Sequence, residues 1–351
     1  MFLSNTEILL LRLCAWCKDL PAESSFLPKE ETACLFLSGL IRKSRNGLSL
    51  RVTDTGFELL NRIGFEYERD IQFRGAGHLI DKRLQTAELM LFLFQGKTDV
   101  FCSAVPDRNN PPSFMPSFTL RREKNKNPLG TARFNGILYL KNTAAAVYYI
   151  SEHNDGLYPE TERNTFTMNI LTGGRKSAAA FTGAGEPQEL LRVMRQKSTK
   201  SNALPVLDAA RRLDCPVCFF PLSVNGARQM RIISVNDWRK EIAQHILKSK
   251  YSPPSHKWYD AEEKILVGID MDIPRMETAA EYGVHIILLD WQAEAAKEIL
   301  RGRKAVLHPI STKTAEEILK LPPELYLKTS EPYITEKGEY LSAPVKDCRK
   351  G

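Results

Sequence analysis

The chain has 351 residues, of which 43% are apolar and 26% charged, and carries a formal net charge of +7. The length exceeds one small domain, the composition is that of an ordinary globular protein, and the charge permits a polyanionic partner without requiring one. No run of about 18 apolar residues is present, which excludes a membrane-spanning helix and a membrane partner of that kind.

The stretch "EILLLRLCAWC" near the start lacks a basic lead-in and a small-residue cleavage site, so no secretory signal is expected. Seven scattered cysteines fit reduced thiols and a cytoplasmic location better than a disulfide framework.

Residues 5–18 read as a helix, with Leu9, Leu10, Leu13 and Trp16 at helical spacing and Asn5 or Thr6 as cap. Pro21 ends it, and 22–27 suit one helical turn. Pro28 opens a second helix over 29–41, because a missing N–H costs nothing there. Leu35, Leu37, Leu40 and Ile41 supply its apolar positions. In "RKSRNGLSLRV" two β-prone runs flank Asn46-Gly47, which predicts a hairpin with a type I′ turn and positive φ at both central residues. Thr53 or Asp54 then caps a helix with Phe57, Leu60 and Ile63 inward and Gly64 at its end. Helix, turn, helix, hairpin, helix is the order of a winged helix-turn-helix over residues 1–66, with 29–41 as recognition helix.

Residues 67–130 read as a connection. It holds a Leu- and Met-rich helix at 77–95, a strand "DVFCSAV" at 99–105, and the irregular basic arm "PDRNNPPSFMPSFTLRREKNKNPLG". From 131 to 325 strands and helices alternate. "GILYL" and "AVYYI" form a strand pair. Helices follow at 160–171, 186–197, 236–247, 275–281, 291–301 and 313–320. "PVCFFPL", "KILVGID" and "VHIILLDW" are short apolar strands. Apolar strands interleaved with helices predict an α+β or α/β domain whose central mixed sheet is covered on both faces. Residues 326–351 read as a loose polar tail.

Signals for catalysis are weak. Cys14/Cys17 and Cys215/Cys218 are two Cys-x-x-Cys pairs, too far apart in sequence for a zinc ribbon, and core thiols are the plainer reading. "GAGHLI" and "GGRKS" lack phosphate-loop spacing and read as turns. A metal-dependent nuclease needs clustered carboxylates. Asn135 stands where such a core carries Asp, the next strand ends in Glu152-x-Asn154, and Asp270 and Asp272 form a further pair that equally reads as a helix cap. His285 lies in an apolar strand and reads as a satisfied core histidine. Two basic patches remain, Arg121, Arg122, Lys124, Lys126 and Arg133 on the arm and Arg192, Arg195, Lys197 and Lys200 farther on. Each is either a phosphate-neutralising surface or a solvated loop.

The stretch "SFMPSFTLRREKNKNPLGTARFNGILYLKNTAAAVYYISEHND…ETERN" resembles the replication-relaxation-like proteins of mobile elements in Gram-positive bacteria. The resemblance rests on Pro116-Ser117, Arg133-Phe134-x-Gly136, Val147-Tyr148 and Glu162. It extends to the later "YDAEEKILVGIDMDIPRMETAAEYGVHIILLDWQ", ending in Asp290-Trp291-Gln292. It implies a winged helix joined to a restriction-endonuclease-like α/β domain that is often catalytically degenerate. The role it implies is accessory DNA binding in plasmid or conjugative-element replication or relaxation. One departure is the acidic start of the recognition helix, Lys29-Glu30-Glu31-Thr32. Residues 1–65 carry eight basic and seven acidic side chains.

The expected partner is double-stranded DNA, with a relaxase or replication initiator as further partner and a homodimer left open. The expected contacts are Lys29 and Thr32 on the helix, Arg42, Lys43, Arg45 and Arg51 on the wing, and Arg121, Arg122, Lys124 and Lys126 on the arm. No catalytic residue, metal or cofactor is assigned. The rival readings are a dimeric winged-helix transcriptional regulator, a metal-dependent nuclease working through Glu152 or Asp270, and a protein adaptor.

Overall fold

The computed structural model describes residues 2–65, 77–120, 132–152, 156–168, 173–183, 185–247, 264–322, 331–335, 338–339 and 341. The chain divides into two compact units, residues 1–95 with 324–351 and residues 96–323.

The first unit begins with α1 (Asn5–Cys17), capped by Ser4, whose hydroxyl accepts from Glu7 N while the Glu7 carboxylate reaches back to Ser4 N. Then come β1 (Leu20–Pro21), α2 (Lys29–Leu37), β2 (Ile41–Lys43), β3 (Ser49–Val52), α3 (Asp54–Arg62) and α4 (Gly77–Gln95). The three strands form an antiparallel sheet in the order β1-β3-β2. Thr53 caps α3 through Gly56 N, and Gly56 has to be glycine because a Cβ there would stand 2.4 Å from Leu40 O and 2.6 Å from Val52 Cγ1. That contact seats α3 on the base of the hairpin. In α4 every residue from Leu89 to Phe94 is buried, so the helix has no solvent face there and serves as the core.

The tail is tied down in part. Tyr333 N donates to Leu3 O at 2.8 Å, Leu3 N to Leu341 O at 2.8 Å, and Leu3 and Leu341 are buried. These backbone bonds are invisible in the polar composition that suggested a loose segment.

The second unit runs β4 (Ser113–Pro116), α5 (Ser117–Leu120), β5 (Gly136–Tyr139), β6 (Thr143–Tyr149), α6 (Pro159–Met168), β7 (Lys176–Gly183), α7 (Pro187–Met194), α8 (Val206–Ala210), β8 (Val217–Pro221), α9 (Val224–Ser234), α10 (Trp238–Leu247), β9 (Ile265–Val267), α11 (Ile273–Ala280), β10 (Val284–Leu289), a 3-10 turn (Asp290–Gln292), α12 (Ala293–Ile299), β11 (Ala305–Ile310) and α13 (Thr312–Ile318). Among the described residues its strands make a mixed five-stranded sheet, β4-β5-β6-β7-β8, and a parallel three-stranded sheet, β11-β10-β9. In the larger sheet β4, β5 and β6 are antiparallel neighbours, and β6, β7 and β8 are parallel. Phe219 N on β8 donates to Asp270 O just past β9, which links the two sheets. The fold is therefore mixed α+β, with a mixed central sheet.

Several elements differ from expectation: β1, α8 and β11 were not placed by the sequence, and three further cases show why local signals fail. The strand placed at 99–105 does not form. Asp99 makes a single bridge to Ser113, and its carboxylate accepts from Phe101 N at 2.9 Å, which turns the chain away. The strand lies instead at Ser113–Pro116, inside the stretch taken as an irregular arm. The sequence reading also missed β7, "KSAAAFTG", because alanine has little intrinsic strand preference. It is a strand because both its edges are hydrogen-bonded, with Ala178 and Ala179 opposite Ala145 and Ala146. Helix α9 was hidden by Asn225-Gly226. Ser223 caps it, and a Cβ at Gly226 would meet Pro221 O at 1.9 Å, so the glycine marks close packing and not a break.

Candidate nucleic-acid interface

The hairpin is built on one buried carboxylate. Lys18, at φ 64, turns the chain out of α1 and sets Asp19 beneath the sheet. Asp19 Oδ1 accepts from Ser49 Oγ at 2.7 Å and from Arg51 Nε at 2.6 Å, and Oδ2 accepts from Arg83 Nη1 at 3.3 Å. In the strand register Arg42 stands directly opposite Arg51. Like charges placed opposite each other destabilise a sheet; Asp19 compensates Arg51 and leaves Arg42 unmatched. Arg51 is thus a half-exposed tether. The side chains of Arg42, Lys43 and Arg45 are exposed, with no hydrogen bond or ion pair to a described residue.

The hairpin tip differs from the expected type I′ turn. Gly47 has φ +75, but Asn46 keeps a negative φ. Gly47 N donates to Ser44 O at 3.0 Å and Ser44 N to Ser49 O at 2.8 Å, which closes a five-residue connection with a single left-handed position. Asn46 spends its side chain instead of its backbone: Oδ1 accepts from Ser44 Oγ at 2.7 Å and from Leu48 N at 3.2 Å. The loop that carries Arg45 is accordingly braced at several points.

On α2, Lys29 is exposed in the first turn, next to Glu30 and Glu31, where acids complement the helix N-terminus. The half-buried Thr32 donates its hydroxyl to Pro28 O at 2.6 Å, so that proton is already committed. Leu35, Leu40 and Ile41 are buried, but Leu37, expected inward, is 77% exposed. The helix ends at Leu37, and Gly39, at φ +69, redirects the chain before Leu40. Ala33, Phe36 and Leu37 share one helical face, all exposed, and Leu48 at the hairpin tip is exposed too. The expected arm contacts Arg121, Arg122, Lys124 and Lys126 lie outside the described residues.

The other basic patch is differently made. Arg192 on α7 pairs with Glu152 at 3.1 Å, and Arg195 pairs with Glu298. Its two arginines are matched by acids brought from distant sequence positions, so much of the patch is neutralised within the fold.

Four of the residues that carried the family resemblance, Arg133, Phe134, Tyr148 and Glu162, lie together, whereas Asp290, Trp291 and Gln292 have other partners. Glu162, buried on α6, accepts from Tyr148 Oη at 3.0 Å and from Arg133 N at 3.1 Å. Phe134 packs edge-on against Tyr148 and Phe166, and Tyr148 stacks on Phe181 at 5.0 Å. Burial and the neighbouring Glu162 raise the Tyr148 hydroxyl well above its usual range, so it stays a donor. Tyr148 and Glu162 line a cleft of about 400 Å³ with Phe166, Lys176 and Cys215.

Of the positions considered for nuclease chemistry, Asn154 lies outside the described residues and the others are occupied with other partners. Asn135 is buried, and its Oδ1 accepts from Tyr149 N at 2.9 Å, which holds β6 in place beside β5. Glu152 is exposed and bound to Arg192. Asp270 is buried against Arg239 on α10 and Arg275 on α11. Asp272 caps α11 through Arg275 N and accepts from Val217 N, both at 3.2 Å. Burial, and then the charge of Asp270, push its pKa up to about 7. Met271 between them takes φ 53. No group of three or more His, Cys, Asp or Glu side chains that could hold a metal occurs among the described residues.

Cys14 and Cys17 sit in the core, and Cys215 and Cys218 are partly buried. Cys14 Sγ donates to Leu50 O, Cys17 Sγ contacts Met90 Sδ, and burial raises all four thiols, Cys215 to about 12. In "GGRKS" both Gly173 and Gly174 have positive φ, and Arg175 donates to the carbonyls of Leu140, Pro106 and Asp107, which makes the segment a clamped turn. The second glycine of "GAGHLI", Gly77, opens α4. His285 is not a core residue: it is exposed on β10 and its Nδ1 lies 2.7 Å from Nε2 of His308 on β11. No helix among the described residues is long and apolar enough to cross a membrane. No protein-family model matches the chain, nor does any curated protein or solved structure.

Proposed function

We propose that residues 1–66 are a winged helix that grips double-stranded DNA through the β2–β3 hairpin. On this reading the protein is a non-enzymatic accessory factor in replication or relaxation of a mobile element. The observation that carries it is the hairpin itself. Arg42, Lys43 and Arg45 are exposed and without acidic partners among the described residues, on a braced two-stranded ribbon. Unmatched cations on a rigid element are what phosphate contacts need, since each neutralised phosphate releases counterions. The mobile-element setting rests on the resemblance and is supported by the convergence of Arg133, Tyr148 and Glu162. The second unit is read as a degenerate restriction-endonuclease-like scaffold for a relaxase, an initiator or a second copy.

A second reading has its own observation. The exposed face of α2 is Ala33, Phe36 and Leu37, where a helix reading base edges carries polar side chains. That face favours a protein contact, as in an adaptor or dimer.

The test is a fluorescence-anisotropy titration against duplex, forked and single-stranded DNA at two salt concentrations, with EDTA and then Mg²⁺. Salt-sensitive duplex binding without cleavage is the expected result. Absence of binding to all three at low salt overturns the DNA reading and leaves the adaptor; cleavage in Mg²⁺ overturns the non-enzymatic part.

A further inference from the structure

We infer that His285 and His308 form a two-imidazole site for a borderline divalent ion such as Zn²⁺ or Cu²⁺ on one face of the three-stranded sheet, where β10 meets the edge strand β11. The site is set by the strand register. On parallel β10 and β11, His285 pairs with Val306 and Ile287 with His308, so the histidines occupy a diagonal on one face. Residues of β10 on either side, Val284 and Ile286 to Leu289, are buried, which holds the backbone beneath the two rings firmly. His285 and His308 are themselves exposed, with ring centroids 5.0 Å apart and planes inclined by 35°.

The facing atoms are His285 Nδ1 and His308 Nε2, 2.7 Å apart. One of them carries the proton that bridges the pair. Two nitrogens on one tetrahedral Zn²⁺, each about 2.05 Å from the metal, stand about 3.3 Å apart. Opening the pair by about 0.6 Å through side-chain rotation therefore admits the ion. The ring that donates between the two shifts its proton to its remote nitrogen, so both facing nitrogens offer lone pairs to the ion. Imidazole nitrogen suits Zn²⁺, Ni²⁺ and Cu²⁺ and selects against Mg²⁺ and Ca²⁺. No third His, Cys, Asp or Glu joins them among the described residues, so the remaining positions go to water or to a ligand from another molecule. The two histidines belong to the second unit, so the site does not depend on whether the hairpin binds DNA.

Zn²⁺ is titrated calorimetrically into the full chain, and into His285→Ala, His308→Ala and the double variant, in a buffer that does not chelate. Cu²⁺ electron paramagnetic resonance is recorded on the same four proteins. The expected result is one saturable site in wild type, weakened at least about tenfold in each single variant because two-point chelation is lost. The copper spectrum should show two coordinated nitrogens in wild type and one in each single variant. Wild type without saturable binding, or a single variant that titrates like wild type, overturns the site. Both positions are exposed, and circular dichroism of the variants separates loss of ligand from loss of fold.

Discussion

The hairpin of the first unit and helix α7 of the second carry similar clusters of arginine and lysine, and the fold treats them in opposite ways. On α7, Arg192 and Arg195 find Glu152 and Glu298, residues 40 and 103 positions away in sequence. On the hairpin, among the described residues, Arg51 is matched by Asp19, and Arg42, Lys43 and Arg45 have no partner. A count of basic residues therefore measures little about a polyanion site. What counts is how many of those charges the tertiary structure has already used.

The largest effect that separates the two regions is in salt dependence. Replacing Arg42, Lys43 and Arg45 together with Ala should lower the slope of log K against log salt by about 3, at about 0.9 per phosphate contact, and weaken duplex binding by about a hundredfold at moderate salt. The Arg192→Ala/Arg195→Ala variant should leave both unchanged. Equal losses in the two variants would break the comparison.

Next in size is the tether. Asp19→Ala removes one partner of the largely buried Arg83 and the carboxylate that Arg51 and Ser49 donate to. Because Arg51 is half exposed and can be hydrated, the loss should be about 2–3 kcal/mol in urea denaturation, below that of a wholly buried pair. DNA affinity per folded molecule should fall less than in the triple variant. A neutral outcome in urea would mean that the carboxylate does not organise the sheet.

The smallest effect lies in the second unit and depends on pH. Asp272 has a folded pKa raised to about 7 by burial and by Asp270. The folded state then binds the proton more tightly than the unfolded chain, whose aspartate titrates near about 3.9. Stability from this group is accordingly greatest at low pH, falls as pH rises from about 4 to about 7, and levels off above that. Asp272→Asn removes the dependence and keeps a good cap residue. Relative to wild type, the variant should gain about 1 kcal/mol or more between pH 5 and pH 8, measured by urea titration at both. A difference that does not move with pH would show that Asp272 titrates normally.

Much of the first unit was legible because its signals are local. A capping serine or threonine, Pro28, and a glycine after a helix act within a turn of chain, and they place α1, the start of α2, the hairpin strands and α3; the cap of α1 is Ser4 where Asn5 or Thr6 was expected, and α2 ends at Leu37, short of the expected 41. The mixed sheet was legible in outline from its apolar strands. Misreadings occurred where a local signal was outweighed or ambiguous. Alanine-rich β7 is a strand only through its neighbours, Gly226 belongs to a helix because Pro221 lies against it, and Asn46 used its side chain to stabilise a turn that its backbone was expected to form.

The sequence by itself determined the inventory: the order of the helices and hairpin in the first unit, the apolar strands of the second, the charges on the hairpin, the scattered thiols and the lone histidines. Only the tertiary structure decided what each charge meets. It buried Asp19 under Arg51, gave Arg192 to Glu152, turned Leu37 outward and set His285 beside His308. The reason is physical. Propensity and capping are set by residues within a few positions of each other, whereas ion pairing, burial and ligand geometry join residues tens to hundreds of positions apart, whose distances exist only once the strands have found their register.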